Sequence, residues 1–77
     1  MSELPKLPCN PEGVTLRLRE IITLHGGPAV VSPLVAIPAK SLSHYMLGQN
    51  LPGALSLACI CRGLNISADW LLFGEVQ

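Results

Sequence analysis

Apolar residues recur at helical spacing in five stretches of this chain, separated by glycine and proline. In the first, Val14, Leu18, Ile21, Ile22 and His25 follow one another at intervals of four, three, one and three. Asn10-Pro11-Glu12 stands just ahead. It offers an N-cap, a proline at the first helical position and an acid where the helix dipole favours one. Gly26-Gly27 ends the stretch. In the second, Gly27 can cap and Pro28 suits the first helical position. Pro33 lies inside this stretch and costs ~3 kcal/mol in a regular helix. The spacing therefore predicts either a kinked helix or one that begins with Ser32 as cap.

Ile37-Pro38 keeps the chain extended and enforces a turn. A third helix is predicted from about Ala39 to Leu47, with Gly48 as its left-handed terminator. After the loop Gln49-Asn50-Leu51-Pro52-Gly53, the residues Ala54, Leu55, Leu57, Ala58, Cys59, Ile60 and Cys61 form a helix apolar on nearly every side. Such a helix is expected to be central and packed all round. Arg62 suits its C-terminal end, and Gly63 reads as its stop. Ser67 then caps a last helix, with Asp69 in its first turn and Trp70, Leu71, Leu72 and Phe73 leading to Gly74.

The pattern predicts an all-α fold, a compact five-helix bundle spanning residues 10–77, with residues 1–9 as a flexible N-terminal arm. Leu18, Ile21, Ile22, Val31, Leu42, Tyr45, Leu57, Ile60, Trp70 and Leu71 are the expected core. Val31, Val35, Ile37, Leu42 and Tyr45 are spaced to meet in the corner between the second and third helices. That corner is the geometry of a helix-turn-helix, whose second helix enters the major groove of DNA.

Composition changes this picture only in part. The chain has 77 residues, of which 49% are hydrophobic and 13% charged, with a net charge of zero. A domain that binds DNA tightly on its own carries a basic excess, so the charge balance weighs against unaided binding. Three cysteines, Cys9, Cys59 and Cys61, are too few and too poorly spaced for a disulfide framework or a metal site. Reduced thiols fit a cytoplasmic protein. No apolar run is long enough to span a bilayer. No acid–base pair, activated nucleophile or phosphate-cradling loop appears, so neither an enzyme nor a cofactor is expected.

Three segments resemble the Cro/CI-type, phage-repressor-like (lambda-repressor-like) helix-turn-helix family. They are Gly26-Gly27-Pro28-Ala29, the run Ile37-Pro38-Ala39-Lys40-Ser41-Leu42-Ser43-His44-Tyr45-Met46-Leu47-Gly48, and Leu64-Asn65-Ile66-Ser67-Ala68-Asp69-Trp70-Leu71-Leu72-Phe73-Gly74-Glu75. The last is the most specific and looks like the family's closing capped helix. The chain departs from the family at Ser32, where a small Ala is common, and at Ala36, where a Gly is common. Pro33 and Leu34 stand where polar or basic residues are usual.

The resemblance implies a sequence-specific DNA-binding regulator of repressor or Cro type that occupies a double-stranded operator as a homodimer. The implied DNA-binding residues are Ala39, Lys40, Ser41, Ser43 and His44 on the third helix, Gln49 and Asn50 just after it, and Arg17 on the first. Lys donates to guanine edges and phosphates, and Ser to phosphates or base edges. The alternative is a protein-interaction module, an antirepressor-like or regulatory partner that keeps the fold without strong DNA binding. A positive strip across Lys40, His44 and Arg17 would favour DNA. Exposed Val30, Leu34 and Leu47 would favour a protein partner. Trp70, Leu71 and Phe73 either close the core or leave an apolar patch for a second subunit.

Overall fold

The N-terminal signals act where local chemistry places them. In a computed structural model that describes residues 10–74, Asn10 is extended and its Oδ1 accepts from the Gly13 N–H at 2.7 Å. This satisfies one of the donors that a helix start leaves open. The helix α1 (Pro11–Leu24) follows, then α2 (Pro28–Val35), α3 (Ala39–Met46), α4 (Ala54–Leu64) and α5 (Ala68–Phe73). The described residues are all-helical and contain no strand. The expected N-terminal arm, residues 1–9, lies outside them.

Helix ends follow one design. Gly26 (φ +110°) and Gly48 (φ +77°) are left-handed. The Gly27 N–H reaches back to the Ile22 carbonyl at 2.9 Å, and the Gln49 N–H to the His44 carbonyl at 3.0 Å. These are Schellman closures, which satisfy carbonyls that would otherwise end without partners. His25 caps α1, with its Nδ1 3.0 Å from the Ile21 carbonyl oxygen. Ser67 Oγ accepts from the N–H groups of Asp69 and Trp70 at the start of α5.

One boundary differs from expectation, and a second decides between two readings that the sequence leaves open. Gly63 does not stop α4; the helix runs through it to Leu64, and Asn65 (φ +54°) takes the left-handed position. Gly63 is required for a different reason. A Cβ there would run into the Leu34 carbonyl oxygen and lie 2.8 Å from Val35 Cγ1. α2 and α4 thus touch backbone to backbone at this point. Of the two readings for α2, a start at Ser32 is the one that the structure excludes. The helix begins at Pro28 and carries Pro33 in its interior. Pro33 has no N–H for the Ala29 carbonyl, and both residues are exposed, where water can take the lost place.

Between α2 and α3, Ala36 is left-handed (φ 58°, ψ 38°). Ser32 Oγ donates to the Ile37 carbonyl at 2.6 Å, and the Ile37 N–H returns to the Ser32 carbonyl at 3.4 Å. This clasp holds a three-residue connection closed and drives Ile37 into the core, where it is 7% exposed.

Leu18, Ile22, Val31, Leu42, Ile60 and Leu71 are fully buried and anchor one core, joined by Val14, Ile21, Val35, Ile37 and Leu64. Tyr45, Leu57 and Trp70, expected inside, are half-buried at its margin. The larger correction concerns α4. It is not central: only Ile60 and Leu64 are buried, while Leu55 is 84% exposed and Ala54, Ala58 and Cys59 face out. Its apolar residues exceed what its neighbours cover. Cys61 sits half-buried, and burial pushes its thiol up from the ordinary value. No helix among the described residues is long and apolar enough to cross a membrane.

Candidate nucleic-acid interface

α3 rests on α1 and α2. Leu42 is its one fully buried residue and fixes which side points inward. Lys40 is exposed, Ala39, Ser41, Ser43 and His44 are half-buried, and Gln49 and Asn50 are exposed immediately beyond the helix. These seven candidate residues therefore belong to one helix and its exit. The start of α3 has no side-chain cap, since Pro38 precedes it. Its first N–H groups are open to solvent or to an anion. The same holds for α2 and α4, whose N-caps are Gly27 and Gly53, whereas α1 and α5 are capped by Asn10 and Ser67.

Arg17 is placed elsewhere. Its Nε donates to the Leu71 carbonyl at 2.8 Å and its second terminal nitrogen to the Leu72 carbonyl at 3.0 Å. The guanidinium is part-buried between α1 and the C-terminal end of α5, where the helix dipole favours a cation. Its guanidinium is thus engaged by the end of α5, unlike the exposed Lys40. Arg19 has a parallel role. Its Nε and a terminal nitrogen donate to the Met46 carbonyl at 3.0 and 2.9 Å, closing the end of α3. Lys40 and Arg62 are the exposed cations, among the described residues, that make no hydrogen bond to the protein.

A second electrostatic feature is not carried by any motif. Between Glu20 and Asp69 the chain contains no acidic residue, although its net charge is zero. The whole of α2, α3 and α4 is thus free of carboxylates, and the acids lie on α1, on α5 and toward the two ends of the chain. The even total charge conceals this division. Reading the order of charges, rather than their sum, would have found it.

The exposed apolar residues form the other notable surface. Val30 and Leu34 are each 51% exposed and Leu47 is 66% exposed, the condition set above for a protein partner. By contrast Leu71 is fully buried, and Trp70 is half-buried, so α5 mainly closes the core. Among the described residues no three His, Cys, Asp or Glu side chains gather to hold a metal ion. Comparison with family models, with curated proteins and with solved structures gives no match to this chain in any of the three.

Proposed function

We propose that this protein is a sequence-specific DNA-binding regulator of the phage-repressor type, with α2, the clasped turn and α3 acting as a helix-turn-helix and α3 reading the major groove. The observation that carries the proposal is the acid-free run from α2 through α4, with Lys40 exposed near the uncapped start of α3. A surface without carboxylates does not repel phosphate, and open N–H groups at helix starts can donate to its oxygens. Ser41, Ser43 and His44 supply hydrogen-bonding groups beside Lys40, and Gln49 and Asn50 extend them past the helix end. A protein-interaction role is the second reading, favoured by the exposure of Val30, Leu34 and Leu47.

The test is an anisotropy titration against duplexes selected from a random pool and against scrambled duplexes, at several salt concentrations. With Lys40 and Arg62 as phosphate contacts, log K should fall against log salt with a slope of about −1.8 per subunit, at roughly 0.9 per contact. Lys40→Ala should weaken binding. A phosphate role predicts an equal loss on every duplex and a slope shallower by about one unit. A base-edge role predicts a loss of ~1–3 kcal/mol confined to selected duplexes. No binding at low salt, or equal binding by the wild type and Lys40→Ala, would overturn the assignment of α3.

A further inference from the structure

We propose that the outer faces of α2 and α4 form a self-association surface, in which the α4 helices of two copies pack antiparallel about a two-fold axis near Ala58 and Cys59. The first observation is the charge pattern. α2 has no charged residue and α4 has one, Arg62. Their exposed residues include Val30, Pro33 and Leu34 on α2 and Ala54, Leu55, Ala58 and Cys59 on α4. Depletion of charge with retained large apolar side chains is the signature of an interface centre. The rival face on α1, around Leu16 and Leu24, is interrupted by Arg19 and Glu20.

The second observation selects the partner. Leu55, Ala58, Cys59 and Arg62 stand at i, i+3, i+4 and i+7 and make one stripe of α4. Its order is large, small, small, large, which is complementary to its own reverse. Turned antiparallel, Leu55 of one copy meets the aliphatic stem of Arg62 in the other, and Ala58 meets Cys59. The small central pair allows the helices to approach at the short end of the usual 8–10 Å range. The guanidinium extends past the contact into water. Beside Arg62 lies an open apolar groove between α2 and α4, lined by Leu34, Ala58, Cys59 and Gly63. Leu55, at 84% exposure, is the side chain that this arrangement delivers into the partner's groove. Each copy provides the same knob and the same hole, as a closed two-fold contact requires. None of these residues is on α3; Arg62 alone is shared with the proposed phosphate contacts, packing by its stem while its guanidinium stays in water.

The experiment is sedimentation velocity over a concentration series without DNA, joined to thiol cross-linking with a short bismaleimide. The wild type should sediment as a concentration-dependent dimer and give a covalent dimer that Cys59→Ser abolishes. Leu55→Glu should weaken dimerisation at least about tenfold while leaving helicity unchanged, and melting unchanged at concentrations where both proteins are monomeric, because in a single copy the side chain is in solvent. Ala58→Lys, on the same exposed stripe, is the second variant should Leu55→Glu alter the fold. Leu24→Glu on α1 should leave the dimer intact. A wild type that is monomeric throughout, a dimer indifferent to both α4 variants, or a dimer lost with Leu24→Glu overturns the proposal.

Discussion

Replacing Gly63 by Ala probes the contact on which the α2–α4 junction depends. In an exposed helix interior this change would stabilise by about 1 kcal/mol, because alanine restricts the unfolded chain and favours the helix. Here the added Cβ would strike the Leu34 carbonyl oxygen and lie 2.8 Å from Val35 Cγ1 and 3.0 Å from the Leu34 carbonyl carbon. Ordinary carbon–carbon separations begin near 3.5 Å, so the helices must part by roughly 0.7 Å. Two of the three contacts are to backbone, which no rotamer change can relieve. Parting of that size loosens Val35 and Leu64, which are 2% and 5% exposed. Overpacking of this kind costs about 1–3 kcal/mol and sometimes more. Taking the upper part of that range against the helix gain, Gly63→Ala should lose about 2 kcal/mol, a large share of a small domain's stability. Urea unfolding followed by circular dichroism measures this directly. Gly53→Ala is the comparison: nothing lies within 4 Å of its added Cβ, so it should lose under about 1 kcal/mol, from the cap position alone. If Gly63→Ala matches or exceeds the wild type, the close approach of α2 and α4 is wrong.

Ala36→Gly should stabilise by about 0.5–1 kcal/mol, since a left-handed alanine costs about 1–2 kcal/mol and the freedom of glycine in the unfolded chain takes back part of the gain; a loss of stability would show that Ala36 is not left-handed. Arg17→Met keeps the stem but removes both hydrogen bonds to the end of α5. It should cost about 2 kcal/mol and move Trp70 fluorescence toward the exposed range, and unchanged melting would refute the clamp. Leu42→Ala, emptying a fully buried site on α3, should cost ~2–5 kcal/mol by thermal or urea unfolding; a loss under 1 kcal/mol would mean that Leu42 is not part of the core.

The elements legible in the sequence are those fixed by neighbours within a turn or two. Asn10 and Ser67 as caps, Gly27-Pro28 as a helix start and Gly48 as a left-handed stop depend on short-range backbone chemistry, and each is in place. Gly63 misleads because a glycine near a helix end has two possible causes, a left-handed cap or a close approach. Only the distant Leu34 backbone decides between them. Arg17 could not be assigned from its surroundings either, because its partners lie 54 and 55 residues away. The apolar wealth of α4 predicts burial on every side, yet Leu55, Ala58 and Cys59 are exposed. Periodicity cannot distinguish a helix surrounded by its own chain from one that keeps a face open. The polar strip of α3 was recoverable because Leu42 sets its inward side, whereas its cationic neighbours depend on tertiary contacts.

The two α1 arginines bear on how DNA binding would have to be assembled. Each sits at a helix C-terminus, where carbonyls without helical partners make the end partly negative. Arg19 at the Met46 carbonyl fixes the exit of α3, and Arg17 at the Leu71 and Leu72 carbonyls fixes the exit of α5. Both cations are committed to the fold, which leaves few for phosphate. Two contacts per copy cannot give tight binding at physiological salt, so affinity must come from joining copies. α2 touches both α3 and α4, and therefore links the proposed reading helix to the proposed dimer face without placing them on one element. This separation has a measurable consequence. A dimer engaging DNA through both copies should show a salt slope of about −3.6, and a monomer about −1.8. Leu55→Glu should therefore halve the slope and weaken binding to two-fold symmetric duplexes, while Lys40→Ala reduces the slope in both backgrounds. If Leu55→Glu yields monomers that bind with the slope of the wild type, the two faces do not cooperate, and the exposed apolar surface serves a partner other than a second copy.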